Sequence, residues 1–139
     1  MRLLLDTNIF LDLPQRRTGV EASQAVINLL GRVHEGFVAW HTLSNVYYIA
    51  TRLSNALKAR DLVRDILTWC EVASVTHEDA LKAEAMSMND FEDALQIAAA
   101  LSAKADWIIT RNLDDYTSSA VPAISPENFL LLHHPSPLL

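Results

Sequence analysis

The chain has 139 residues, half of them hydrophobic, and a formal net charge of −6. This length and composition suit one compact domain and argue against a disordered chain, and the negative charge argues against a protein that binds nucleic acid through bulk positive charge. The apolar runs are too short to span a bilayer and Asp6 interrupts the first of them, so we expect a cytoplasmic protein without a membrane segment.

Short apolar runs alternate with stretches of helical spacing along the whole chain. In chain order, the pattern predicts a strand at 2–5, helices at 8–13 and 21–34, a strand at 37–40, helices at 42–53 and 56–71, a strand at 72–75, helices at 76–86 and 91–104, a strand at 107–110, a helical turn at 111–116, a strand at 121–124 and a last helical turn at 127–132. Such alternation predicts an α/β domain over residues 1–132, with a mainly parallel sheet covered by helices on both faces. Residues 133–139 are predicted to form a loose tail.

Acidic side chains gather at one edge of this predicted sheet. Ligands of parallel sheets bind beyond the carboxyl ends of the strands. Asp6 directly follows the first strand, and Asp115 lies shortly beyond Thr110 at the end of the fourth. Asp90 and Asp93 begin the helix before the fourth strand, one turn apart and so on one helical face. Three separate segments therefore bring carboxylates towards one crevice.

Gathered carboxylates repel one another, and a hard divalent cation such as Mg²⁺ or Mn²⁺ relieves that repulsion. A metal ion held there can polarise a phosphoryl oxygen and activate water, so phosphodiester hydrolysis is the natural reaction. Each acid also has a structural explanation: Asp6 and Asp90 can cap helices, Asp93 suits a helix N-terminus, and Asp115 suits a turn. The acids alone leave a phosphatase or a receiver-like phosphoacceptor domain equally open.

Three motifs carry a resemblance to a known family: LLLDTN at residues 3–8, DFEDAL at 90–95, and IITRN at 108–112 followed by Asp115 and Tyr116. With this order and spacing the sequence resembles the PIN-domain family, particularly the VapC-like toxins of bacterial and archaeal toxin–antitoxin modules, over nearly the entire chain. The resemblance implies a three-layer α/β/α sandwich and an endoribonuclease that depends on Mg²⁺ or Mn²⁺. It also implies frequent homodimers and a neutralising antitoxin protein.

By the same resemblance, Asp6 and Asp93 match the family's first and third acidic ligands. Asn8 and Thr110 match polar residues that usually support the first of these acids and the substrate phosphate.

Two positions depart from the family pattern. Asn45 stands where many PIN domains have a glutamate, and Asn112 where many have an aspartate. We therefore expect Asp115 to complete the metal site of Asp6 and Asp93, with Asp90 as a further carboxylate and the two asparagines as neutral partners. The lost charge favours an alternative function, a catalytically weakened PIN-like module that binds protein or RNA.

Two further features have open interpretations. The predicted helix at 42–53 carries more apolar residues than one face needs, so it is either a homodimer interface or a helix deeply buried in the monomer. Basic residues that either contact RNA or form solvated surfaces are Arg16, Arg17, Arg52, Lys58, Arg60 and Arg64.

Overall fold

The computed structural model describes residues 1–88 and 90–135. In chain order, the elements of these residues are β1 (Arg2–Leu5), α1 (Thr7–Gln15), α2 (Val20–Leu29), β2 (Glu35–Val38), α3 (Trp40–Leu53), α4 (Ala56–Trp69), β3 (Cys70–Val72), α5 (His77–Ala85), α6 (Phe91–Ser102), β4 (Trp107–Ile109), a 3₁₀ helix (Leu113–Tyr116), β5 (Ala123–Ile124) and α7 (Pro126–His133). No helix within these ranges has the length and apolar character needed to cross a membrane.

The five strands form one parallel sheet in the order β3-β2-β1-β4-β5. β1 lies at the centre, where Leu4 pairs with Phe37 of β2 and with Ile108 of β4. Leu3 and Leu5 contribute to one hydrophobic cluster and Leu4 to another, because successive side chains of a strand point to opposite faces. The predicted three-layer α/β/α sandwich with a parallel sheet is therefore confirmed.

Several element boundaries differ from the sequence prediction by two or more residues, and β2 and β3 each begin two residues earlier than predicted. α3 begins at Trp40 rather than after Thr42, because β2 already ends at Val38. Thr42 is fully buried, so it lies inside the helix instead of capping it. α2 ends at Leu29 rather than near residue 34, and the chain then turns at Gly31, whose φ of 76° is a conformation that glycine adopts without strain.

The last helix, α7, packs beside the start of the sheet. It includes His133, one residue beyond the predicted domain end, and the Nε2 atom of His134 lies 2.5 Å from Nε2 of His34. The final part of the predicted tail, residues 136–139, lies outside the described residues.

Candidate active site

Asp6 lies at the carboxyl end of the central strand, between β1 and α1. Its backbone N–H donates to the Ile109 carbonyl at 3.0 Å, which ties it to β4. Its half-buried carboxylate accepts three hydrogen bonds: at Oδ1 from the Thr7 N–H (2.7 Å) and Gln96 Nε2 (3.2 Å), and at Oδ2 from Thr110 Oγ1 (2.8 Å). The side chain is thus fixed by α1, by α6 and by the residue that follows β4, and it also caps α1 as the structural explanation predicted.

The four predicted acids share one electrostatic environment. Burial raises the pKa of Asp6, the Thr110 hydroxyl opposes this, and the charge of Asp115 adds to the rise. The pKa of Asp93 is raised to about 6, first by burial and then by the charges of Asp90, Asp115 and Asp6. Mutual repulsion of this kind is what a bound cation would relieve.

The first turn of α6 carries two of these acids and a third that the sequence analysis left without a role. Asp90 is the N-cap and accepts a hydrogen bond from the Glu92 N–H at 2.8 Å, so its capping explanation is confirmed. Asp93 is half-buried in the same turn. The Glu92 carboxylate accepts a hydrogen bond from Asn45 Nδ2 of α3. Glu92 therefore places a carboxylate beside the neutral amide that replaces the family's glutamate.

The turn after β4 connects Asp115 to the same edge of the sheet. The Asn112 N–H donates to Thr110 Oγ1 at 3.0 Å, and the Asp115 N–H donates to the Asn112 carbonyl at 3.1 Å. Asp114 and Asp115 are both exposed. Asp115 is the acid of this turn whose charge raises the pKa of both Asp6 and Asp93.

Three polar residues near Asp6 were missed by the sequence analysis. Gln96 is only 2% exposed, although it is an amide on a helix of small apolar residues. Burial raises the pKa of the Tyr116 hydroxyl, and the charges of Asp6 and nearby acids raise it further. Burial lowers the pKa of His41, while Glu92 and Asp6 partly oppose that shift. A polar side chain within an apolar helix was the available signal for Gln96.

Arg111, in the IITRN motif, points away from the acidic pocket. Its Nε donates to Asp12 Oδ2 at 2.7 Å, and Nη2 donates to the Gly19 carbonyl (2.7 Å) and to Ser23 Oγ (2.9 Å). Nη1 donates to both Glu127 carboxylate oxygens at 2.8 Å. Asp12 is completely buried, so this guanidinium neutralises a core charge and joins α1, α2 and α7.

The basic residues considered as RNA contacts lie elsewhere. Arg16 and Lys58 line a cleft of about 730 Å³ between α1, α3 and α4. This cleft lies beside the last residues of α1, whereas Asp6 comes just before the first residue of that helix. Arg64 pairs with Asp61 of its own helix at 3.0 Å. These three basic residues therefore engage other parts of the molecule than the acidic pocket.

The donor set determines how a metal ion could be held. A carboxylate offers about four acceptor positions, and the Asp6 carboxylate accepts three hydrogen bonds from the described residues, so it has little capacity left for direct metal bonds. Within residues 1–88 and 90–135, no group of three or more His, Cys, Asp or Glu side chains forms a ready ligand cluster. Asn8 is half-buried in the first turn of α1. These residues fit an ion that keeps several waters, as Mg²⁺ does.

Comparisons with known proteins agree with this fold. A family model described as PIN domain matches residues 2–114. The chain is similar to the VapBC2 structure of Rickettsia felis bound to a DNA fragment from their promoter, at 12% identity, TM-score 0.69, covering 90% of this chain and 98% of that one. It is similar to VapBC-1 of nontypeable Haemophilus influenzae at 18% identity, TM-score 0.68, covering 91% and 99%.

A toxin–antitoxin complex from Klebsiella pneumoniae is similar at 19% identity and TM-score 0.68, covering 89% of this chain and 97% of that one. At these identities the likeness to solved structures is one of fold. No curated protein matches the sequence significantly.

Proposed function

This chain belongs to the PIN-domain family, and on that premise we propose that it is a metal-dependent endoribonuclease and the toxin of a toxin–antitoxin module. The observation that carries the proposal is the electrostatic coupling of Asp6, Asp90, Asp93 and Asp115 at the carboxyl edge of the sheet. Burial and neighbouring acids raise the pKa of Asp6 and Asp93, which is costly for stability alone, and perturbed carboxylates of this kind are typical of functional sites.

In this proposal Asp6, Asp93 and Asp115 hold Mg²⁺ or Mn²⁺, and Asp90 adds negative charge at the edge of the pocket. The bound ion supplies an activated water and polarises the phosphate of the RNA. Thr110 fixes the orientation of Asp6 through its hydroxyl, and we assign contacts with the substrate or ordered water to Asn8 and Asn112.

The test is cleavage of single-stranded RNA by the purified protein with Mn²⁺ and with a chelator. We expect Asp6→Asn to abolish cleavage, because it removes the charge while keeping the shape of the side chain. Asp61→Asn is the matched control, since Asp61 is an exposed acid on α4 outside the acidic pocket. Undiminished Mn²⁺-dependent cleavage by Asp6→Asn would contradict the proposed site.

The second candidate is the catalytically weakened module that binds protein or RNA. The two neutral replacements favour this function, because neither supplies a carboxylate to the pocket. Asn45 directs its amide nitrogen to Glu92, and Asn112 is exposed. RNA binding without cleavage at any Mn²⁺ concentration would support this second function over the first.

A neutralising antitoxin is the partner we propose. The support is the likeness in fold to two solved structures. One is VapBC-1 of Haemophilus influenzae, and the other is described as a toxin–antitoxin complex from Klebsiella pneumoniae. Co-expression with the product of a small neighbouring gene, followed by co-purification and loss of RNA cleavage, tests this partner.

We also propose a homodimer. α3 buries Thr42, Val46 and Ala50 but exposes Tyr48 by 61% and Leu53 by 55%, so the interpretation as a helix deeply buried in the monomer is wrong for this outer face. A monomeric mass by light scattering at high protein concentration would contradict the dimer.

A further inference from the structure

Two large aromatic side chains are exposed at the beginnings of two helices. Trp40 is the first residue of α3 and is 71% exposed, and Phe91 is the first residue of α6 and is 52% exposed. Single exposed apolar residues are ordinary on protein surfaces, so exposure alone carries no conclusion. What matters is whether these two side chains share a surface and what that surface borders.

Hydrogen bonds join the first two turns of α3 to the first two turns of α6. Asn45 Nδ2 of α3 donates to the Glu92 carboxylate of α6. One turn further along α6, the Thr42 hydroxyl lies 3.4 Å from Gln96 Oε1. Both helices therefore begin at the same edge of the molecule, side by side.

A small cleft brings Trp40 beside the face of α6 that Phe91 begins. Trp40 lines this cleft of about 70 Å³ together with Leu95 and Ala98 of α6. Residues four and seven positions apart share a helix face, so Phe91, Leu95 and Ala98 form one stripe. Trp40 lines the cleft beside two residues of this stripe, and Phe91 begins the stripe one turn before Leu95. We call Trp40 and Phe91 the aromatic rim.

The aromatic rim borders the acidic pocket on both helices. His41 directly follows Trp40, and its pKa responds to the charges of Asp6 and Glu92. Asp93 follows Phe91 by two residues. Among the described residues, α3 also begins without a side-chain cap or an acid in its first turn, which leaves backbone N–H groups open beside the rim.

We propose that the aromatic rim stacks on the bases of single-stranded RNA and so delivers the adjoining phosphate to the acidic pocket. This inference rests on the proposed ribonuclease function and names residues that select its substrate. The chain has a net charge of −6, and the basic residues near α1 and α4 lie away from the pocket, so phosphate attraction there is weak. Stacking is independent of charge and acts on unpaired bases, which the exposed rim can reach.

The experiment measures affinity in an Asp6→Asn background, where cleavage is blocked. A fluorescent single-stranded RNA is titrated with this parent and with versions carrying Trp40→Ala, Phe91→Ala or Trp40→Phe. We expect each alanine change to weaken binding by about tenfold to hundredfold, as for loss of one stacked base, at low and at moderate salt alike. Trp40→Phe keeps an aromatic face and is expected to bind within about threefold of the parent.

Leu131→Ala is the matched control, since Leu131 of α7 is 72% exposed, nearly the same as Trp40, and is expected to leave affinity unchanged. Parent-like affinity of both alanine variants would overturn the proposal. Conversion of a dimer to a monomer by Trp40→Ala, with RNA affinity intact, would also overturn it and assign the rim to a protein interface.

Cleavage is measured separately in chains that retain Asp6. If the protein that retains Asp6 cleaves RNA normally and the rim variants bind RNA as the parent does, only the role of the aromatic rim is contradicted. Stacking that depends on Trp40 in a protein that never cleaves RNA supports the rim and contradicts the ribonuclease function. A protein that neither binds nor cleaves RNA contradicts both.

Discussion

Replacing Asp93 by asparagine should make the metal-free protein more stable near neutral pH while abolishing RNA cleavage. The pKa of this carboxyl rises from 3.8 to about 6, first through burial and then through Asp90, Asp115 and Asp6. A raised pKa in the folded state means that folding disfavours the ionised form. The wild-type protein therefore carries a penalty above about pH 6, which disappears as the pH falls towards 4.

The size of this penalty follows from the shift. A rise from 3.8 to about 6 corresponds to roughly 3 kcal/mol at most. Asp93 is only partly buried, and solvent screening reduces the penalty to about 1 kcal/mol. For a chain of this size, about 1 kcal/mol corresponds to a gain of roughly 3–5 °C in Tm.

Thermal unfolding of both proteins at about pH 7.5 and about pH 4.5 tests this reasoning, because the gain of Asp93→Asn should be full at the higher value and only about a third as large at the lower one. Millimolar Mn²⁺ should then stabilise the wild type more than the variant. A variant that is less stable near neutral pH, or equally stabilised at both pH values, would refute the electrostatic argument.

Three further variants test the surrounding structure. Arg111→Met removes the close ionic partner of the buried Asp12 and leaves only Arg17 at 4.0 Å, so it should cost about 3–5 kcal/mol in urea unfolding, and a loss below about 1 kcal/mol would contradict that role. Gly19→Ala should lower stability by about 1–3 kcal/mol, because φ is +89° and a Cβ would lie 2.9 Å from Arg111 Nη2; an unchanged melting curve would argue against it. Asp115→Asn should reduce cleavage by about 10–100-fold while Asp114→Asn is nearly silent, and equal small effects would remove Asp115 from the site.

The sequence predicted best what depends on local chemistry. β1 was bounded correctly because an apolar run ends at a charged residue, Asp6. The start of α5 at Thr76 was also correct, and the structure contains a full capping box there with Asp79. Parallel sheet geometry then sufficed to bring acids from separate segments to one edge.

What the sequence could not predict depends on partners distant along the chain. Gln96 reaches Asp6 across 90 positions, and Arg111 reaches Asp12 across 99. Neither contact leaves a periodic pattern, because each is determined only when α6 and β4 pack beside β1. The same limit applies to Thr42, whose polar side chain suggested a cap although tertiary packing buries it inside α3.

The position of β1 has a consequence for how the protein is made. Its neighbour β4 pairs with it only after about a hundred residues, since Leu4 is opposite Ile108, and Thr110 and Asp115 come later still. Chains fold from the N-terminus as they leave the ribosome. An unfinished chain therefore carries Asp6 without the residues that orient it, and no acidic pocket exists until synthesis is nearly complete. Under the proposed ribonuclease function, this order would keep the nascent chain harmless to the messenger that encodes it.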